Sequence, residues 1–285
     1  MGRPNVVAWA GPFGATVTDV DLDVGLAPDI AALVVQALAV HRVVIIGDQR
    51  PSDAAYARFG RLWGDPIEFF NPRDRDTAHP EVIRISNAVS TPERLRDGAM
   101  HWHQDSSYEA VPAAVTMLSA VEAPDGRNET MFADLTAAYD ALPVAHQEHL
   151  CTLRVVHDRR GCSPELMFAD ERRGAATRDE PVPTVSHPLV VRHPRTGRLA
   201  LYGISGTPVG IEGMEQHAAI ELLVGLKRHA LQQQFRQTAT AEVGTVLIWD
   251  NLAVMHCATA TEYSDEDGHR RIIRRISTKM GRTDE

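Results

Sequence analysis

His101-Trp102-His103-Gln104-Asp105 and, far downstream, Trp249-Asp250-Asn251-Leu252-Ala253-Val254-Met255-His256 are the stretches on which the reading of this chain turns. Side chains two apart on a strand share a face, so His103 and Asp105 present an imidazole and a carboxylate side by side. His256, arriving on a distant strand, adds a second ring nitrogen. Two nitrogens and one oxygen on one face of a cation leave the opposite positions open, which suits non-haem Fe(II) and its oxygen chemistry. His101 shares that face, so spacing alone admits it as a ligand, with a pocket residue or simple strand polarity as the other readings. A His-x-Asp by itself is weak evidence, because 13 histidines produce such spacings by chance. The ordinary alternatives are a strand histidine bonded to a carboxylate, a strand-end turn at Asp250-Asn251 and a core histidine at 256. The ensemble carries the case: a His-x-Asp, a distal His just after an apolar strand, and an Arg-rich strand close behind.

Working outward, 285 residues with 44% hydrophobic and 24% charged content describe an ordinary soluble globular protein, read as one large domain over 1–285. The net charge of −9, from 29 Lys and Arg against 38 Asp and Glu, argues against partners such as nucleic acid or an anionic membrane. It leaves room for a small-molecule substrate, even an anionic one met by local basic residues. No apolar run approaches membrane-spanning length, and the first residues carry no apolar signal core. Cys151, Cys162 and Cys257 form neither metal spacing nor a disulfide framework, so a reducing cytoplasm is expected.

Periodicity places strands at Thr16 to Leu22 and Val40 to Gly47, around a helix over Pro28 to Ala39. Pro51-Ser52-Asp53 starts a second helix, with Ser52 or Asp53 as cap. The stretches Trp63 to Ala78 and Ala88 to Ala99 are irregular and are candidate lids beside the first motif. Further on come a strand at Val115 to Val121, a turn at Pro124 to Glu129, a strand at Thr130 to Phe132 and a helix at Leu135 to Leu142. The charged stretch from Asp158 to Pro183 reads as a solvated loop. A hairpin joins Pro188 to Arg192 with Leu199 to Tyr202, and a helix spans Met214 to Phe235. Strands at Thr245 to Trp249 and Arg270 to Thr278 close the chain. The fold class expected is mainly β with flanking helices, a sandwich or jelly roll.

Trp102-His103-Gln104-Asp105, Trp249-Asp250-Asn251 with His256, and Arg270-Arg271-Ile272-Ile273-Arg274-Arg275 together resemble the taurine/2-oxoglutarate dioxygenase family (TauD/TfdA). The likeness continues through Ala10-Gly11-Pro12-Phe13-Gly14-Ala15, Phe59-Gly60, Ser186-His187-Pro188, His193-Pro194 and Gly197-Arg198, and so covers nearly the whole chain. The resemblance implies a double-stranded β-helix (jelly roll, cupin-like) with Fe(II), 2-oxoglutarate as cosubstrate and O2. Relatives commonly form dimers or tetramers. Carried over by position, His103, Asp105 and His256 match the iron ligands. Thr130 matches the threonine that bonds the distal carboxylate of 2-oxoglutarate, and Arg271 the arginine that clamps it, a role suited to a guanidinium's paired donors.

Strand alternation sorts the crowded arginines into Arg271 with Arg275 and Arg270 with Arg274. The family pattern selects the first pair, with Arg275 nearer the substrate and the other pair on a solvated face. A one-residue slip would exchange the pairs. Departures from the family bear on substrate. Asp65 stands where taurine-oxidising members carry a sulfonate-binding His, Glu68 stands for a Tyr, and Thr207 for a pocket Phe. A carboxylate there repels a sulfonate, so taurine itself is not expected. Asp65 or Glu68 would meet an amine, or both are solvated loop residues. The expected reaction is oxidation, chiefly hydroxylation, of a C–H bond in a small polar metabolite, amino-acid-like or carboxylate-bearing, with release of succinate and CO2. Desaturation or oxidative rearrangement stays open, since one oxidant starts each path. Other readings are a zinc hydrolase, a cupin-like isomerase and a non-catalytic 2-oxoglutarate or iron sensor.

Overall fold

The computed structural model describes residues 3–68, 78–92, 98–124, 128–172, 183–260 and 262–279. The candidate lids and the charged stretch therefore fall partly outside the described residues.

Strands β1 (Asn5–Ala8) and β2 (Ala15–Thr18) lead into helix α1 (Pro28–His41) and strand β3 (Val43–Ile46). Pro28 opens α1, where a missing N–H costs nothing, and Arg42 closes it in the left-handed region at φ 66°. Helix α2 (Asp53–Gly60) starts as expected, with Ser52 Oγ accepting the Ala55 N–H at 3.3 Å. Then follow β4 (Ile83–Ser86), β5 (Ala113–Glu122), β6 (Glu129–Asp134), α3 (Leu135–Asp140) and α4 (Val144–Leu150). Next come β7 (Arg154–His157), β8 (Val185–Pro188), the hairpin β9 (Val190–Arg192) and β10 (Leu199–Leu201), β11 (Pro208–Ile211) and α5 (Gln216–Ala230). The chain closes with β12 (Arg236–Thr240), β13 (Val246–Asp250), β14 (Val254–Ala258) and β15 (Ile272–Lys279).

Seven strands form one sheet in the order β1-β2-β3-β13-β5-β15-β4, and three form another in the order β12-β6-β14. The two face each other across a shared core. Leu118 and Ala120 of β5, Leu247 and Trp249 of β13 and Ile273 of β15 pack there against Phe132, Ala239 and Val254 of the smaller sheet. Alternation sends the other side chains outward. Val44, Met117, Ile248 and Ile276 meet Leu38 of α1 and Tyr56 and Phe59 of α2. Ala133, Met255 and Cys257 meet Leu135 of α3 and Leu223 and Leu226 of α5. The result is a two-sheet sandwich with helices outside both faces; β13 is apolar through Trp249 because both its faces are covered, whereas β5 and β15 also bury polar side chains such as Thr116, Ser119 and Arg274.

Three expectations from the sequence are corrected. The helix expected to reach Phe235 ends at Ala230, and Arg236–Thr240 is a strand paired with β6. The mixed sequence Arg236-Gln237-Thr238-Ala239-Thr240 gives no hydrophobic reason to expect a strand, and it is the pairing with β6 that supplies its backbone bonds. His103-Gln104-Asp105 is not a strand either. His103 makes a single antiparallel bridge with His256 and Asp105 begins a turn, its N–H bonded to Asn251 Oδ1 at 3.3 Å instead of to a neighbouring strand. Finally, Arg274 is not on a solvated face. It is 7% exposed and donates to the Pro51 carbonyl, Asp53 Oδ1 and Ser119 Oγ on the helix side of the large sheet.

Candidate active site

His103 and His256 reach the space between the sheets from opposite backbones joined by that bridge. On β14 the alternation is unbroken: Met255 and Cys257 point to the helices, and Val254 and His256 to the inter-sheet core. Trp249 walls His256, with ring centroids 4.6 Å apart. The imidazole of His103 bonds through Nδ1 to the His101 carbonyl at 2.7 Å. A carbonyl only accepts, so Nδ1 carries the proton and the Nε2 lone pair is free to face a cation. His103 Nε2 lies 3.6 Å from Asp105 Oδ1, and His256 Nε2 lies 3.7 Å from Asp105 Oδ2.

Asp105 is held on both oxygens. Thr116 Oγ1 donates to Oδ2 at 2.7 Å, and Arg275 Nη2 donates to Oδ1 at 2.6 Å. Burial pushes the Asp105 carboxyl up, but Arg275 and then the two imidazoles hold it well below the usual carboxylate range. Burial, with His103 beside it, pushes the His256 imidazole well down, so it stays neutral. A neutral His256 imidazole and an ionised Asp105 carboxylate are the protonation states a metal requires of them. Among the described residues these three side chains form the one group of His, Cys, Asp and Glu able to share a metal ion, their candidate ligand atoms all within 4.8 Å of one another. Two nitrogens, one hard oxygen and room for further ligands fit Fe(II).

The same cavity is lined by Thr130, Arg271 and Arg275. Thr130 sits on β6 opposite Ala258 and is buried. Arg271 and Arg275 project to the side of Ile273, into the space between the sheets, and Arg270 lies outside, paired with Glu122 at 3.0 Å. The Arg271 and Arg275 register thus faces the cavity. Loss of solvent around the Arg271 guanidinium lowers it to about 10, still a cation at neutral pH. Its Nε donates to Asn128 Oδ1, and Asn128 in turn donates to the Ala241 carbonyl at 2.6 Å.

Other expected residues lie elsewhere. His101 is buried with its ring stacked on His103, centroids 4.7 Å apart, and contributes its carbonyl. Thr207 is buried, and its hydroxyl bonds Ser107 Oγ and His157 Nδ1, each at 3.0 Å, outside the lining of the triad's cavity. Asp65 and Glu68 are exposed and do not line it. The backbone around Asp65 instead pairs with the end of β15, where the Lys279 N–H donates to the Asp65 carbonyl at 2.8 Å and the Ile67 N–H to the Ser277 carbonyl at 2.7 Å.

Sequence reasoning gave no site role to Thr116, Asn128 and Asn87, nor to Asn251 although it lies in one of the two motifs. Asn87 Oδ1 accepts the Arg271 N–H at 2.7 Å, and Asn251 Nδ2 donates to Thr116 Oγ1 at 3.0 Å. Asparagines near turns are commonplace. Only Asn128, immediately before β6 and at φ 126°, stood where residue type carried a local signal.

Comparison with known proteins agrees with this geometry. Residues 6–277 match the model of the family described as taurine catabolism dioxygenase TauD, TfdA family. The chain is 30% identical over 252 residues to pentalenolactone F synthase of Streptomyces arenae, covering 84% of this chain and 83% of that protein. It is 31% identical over 279 residues to the alpha-ketoglutarate-dependent 2,4-dichlorophenoxyacetate dioxygenase of Cupriavidus pinatubonensis, covering 93% and 94%. A taurine dioxygenase structure from Burkholderia xenovorans superposes with a TM-score of 0.79 at 28% identity, covering 98% of this chain and 90% of that one. The inter-sheet triad, the neighbouring basic cavity and these likenesses together place the chain in the TauD/TfdA family of Fe(II)- and 2-oxoglutarate-dependent dioxygenases.

Proposed function

We propose that the chain hydroxylates a C–H bond of a small carboxylate-bearing metabolite, with 2-oxoglutarate converted to succinate and CO2. His103, Asp105 and His256 hold Fe(II). Arg271 grips the distal carboxylate of 2-oxoglutarate, and Thr130 adds a hydroxyl donor. The observation that carries this reading is the Arg271 cation. It lines the cavity of the triad, desolvated, and the side chain that meets its Nε is a neutral amide. A desolvated cation facing an amide is costly to maintain unless an anion completes it.

Iron, with 2-oxoglutarate and O2, supplies an oxidant able to take hydrogen from a C–H bond. The chain supplies placement. Thr116 and Arg275 fix the Asp105 carboxylate. Asn128 sets the Arg271 side chain by occupying Nε, which leaves the two terminal nitrogens of the fork for a carboxylate. Ile85, Leu118 and Trp249 give the cavity an apolar wall that excludes water from the reacting carbon. Arg275 lines the cavity beside Asp105 and presents a cation to the substrate. The relative named for 2,4-dichlorophenoxyacetate, itself a carboxylate, supports an acidic substrate. The exposed positions of Asp65 and Glu68 give no support to an amine contact.

The test is a screen of small carboxylates scored by substrate-dependent succinate release under O2, with the product weighed. A gain of one oxygen is expected. A loss of two hydrogens would replace hydroxylation with desaturation. Succinate release by Asp105→Ala at the unsubstituted rate would remove Asp105 from the ligand set.

A further inference from the structure

The charged stretch from Asp158 to Pro183 contains an acid for which the site described above has no use. The Glu171 side chain is 2% exposed, and its partner Lys227, on α5, is 0% exposed. Lys227 Nζ donates to Glu171 Oε1 at 2.8 Å, to Oε2 at 2.6 Å and to the Leu166 carbonyl at 2.6 Å, and stands 4.2 Å from the Phe168 ring centre. Its three N–H bonds have three acceptors. Apolar residues of similar volume commonly stabilise a core as well as a buried ion pair does, so stability alone is a weak account of this one.

The carboxylate's other bonds supply an account. Oε1 also accepts the Trp102 N–H at 2.7 Å, and Oε2 accepts the Phe168 N–H at 2.6 Å. The Trp102 N–H and the His101 carbonyl belong to one peptide group, and across a trans peptide they point opposite ways. Glu171 therefore sits at one end of that peptide and the His103 ring at the other, bonded through Nδ1–H to the His101 carbonyl at 2.7 Å. A line of contacts runs from ammonium to carboxylate to peptide to imidazole.

We propose that Glu171, neutralised by Lys227, is a positioning residue for the metal site: acting through the 101–102 peptide, it fixes the orientation and tautomer of His103 and strengthens Nε2 as a donor. An anion on the N–H end of a peptide polarises its carbonyl, because linked hydrogen bonds reinforce one another in a low-dielectric interior. A ligand imidazole whose far N–H is firmly held is better aimed and more basic. The ammonium confines the charge, so the effect reaches His103 without adding a net charge to the interior. The proposal rests on the reading of His103 as an iron ligand.

The experiment uses the full chain freed of metal. Glu171→Gln keeps the size and an acceptor for Trp102 but removes the charge. The double variant Glu171→Gln, Lys227→Met leaves no buried ion unpaired. Leu223→Ala, elsewhere on α5, controls for lost stability. Anaerobic calorimetric titration with Fe(II) is paired with nitrogen NMR of labelled histidine in the metal-free chain. Both Glu171 variants are expected to bind Fe(II) on the order of 10- to 100-fold more weakly, with the His103 Nδ1–H signal weakened, while the Leu223 variant binds like the unsubstituted chain despite a lower Tm. Equal Fe(II) affinity in the Glu171 variants overturns the relay and leaves the iron-ligand reading intact. Failure of the unsubstituted chain to bind Fe(II) overturns both. Should the variants not fold, the unsubstituted chain decides through its NMR spectrum, where a His103 protonated on Nε2 overturns the proposal.

Discussion

His103 and His256 exchange both backbone hydrogen bonds, each N–H donating to the other's carbonyl at 2.9 Å, although they stand far apart in the sequence. Directly opposed residues of an antiparallel pair project side chains to the same face, and here the imidazole centroids lie 4.2 Å apart. The backbone therefore sets the spacing of the two nitrogen donors, independently of any cation.

That pairing depends on a close approach from behind. Gly206 has φ +98°, and a Cβ there would stand 2.8 Å from His103 Cβ. Gly206→Ala is expected to cost about 1–3 kcal/mol through backbone strain and to displace His103. Thermal unfolding reads the first effect, and Fe(II) titration of the folded fraction reads the second as weakened binding. Unchanged metal affinity would mean the bridge holds His103 without Gly206.

Thr116→Val removes the hydroxyl that donates to Asp105 Oδ2 at 2.7 Å and accepts from Asn251 Nδ2 at 3.0 Å. With Ser277 Oγ, 2.9 Å from the same hydroxyl, three buried polar groups lose a partner, an expected loss of about 1–3 kcal/mol. Fe(II) affinity should fall by roughly 10- to 100-fold because the carboxylate is freed to turn. Calorimetric titration checks this. The 2-oxoglutarate requirement at saturating iron should change far less.

Arg271→Met should show the opposite pattern, with Fe(II) affinity nearly kept and the 2-oxoglutarate concentration for half-maximal succinate formation raised. Losing a charge-assisted contact costs about 1.5–3 kcal/mol, roughly 10- to 100-fold in affinity. Arg270→Met should leave the requirement unchanged, since Arg270 lies outside against Glu122. A raised requirement in the Arg270 variant would transfer the clamp to the other register.

Acid should destabilise the metal-free chain through its buried imidazoles. Burial lowers the His157 imidazole to about 3, and it drives His256 down as well. Below the ordinary histidine value near 6.5 the unfolded chain takes up protons that the folded chain refuses, so stability falls as pH drops through 6 toward 5. For His157 alone the loss between pH 7 and pH 5 is about 2 kcal/mol by linkage. His157→Gln should flatten this limb in urea unfolding at the two pH values. An undiminished slope would show that His157 is not the group responsible.

Much of the fold was legible because its signals are local. The Ser52 cap, the β-branched run Val43–Ile46 and the apolar strand through Trp249 each declare an element through residue type and period. Strand β12 was not legible, because Arg236-Gln237-Thr238-Ala239-Thr240 has no apolar face of its own and is a strand by virtue of pairing with β6. Asp65 and Glu68 were placed near the substrate by position in the chain, but exposure is a property of the folded surface.

The sequence by itself determined the chemistry on offer: the nitrogen and oxygen donors, and the alternation separating Arg271 and Arg275 from Arg270 and Arg274 along the last strand. These follow from residue type and a two-residue period, which need no knowledge of partners. Tertiary structure alone decided which face of β15 meets the cavity, that Asp105 is bound by Thr116 and Arg275, and that Glu171 is buried against Lys227. The physical reason is that a charge in a sequence is solvated by default, and only a counterion brought from a distant element makes its burial affordable.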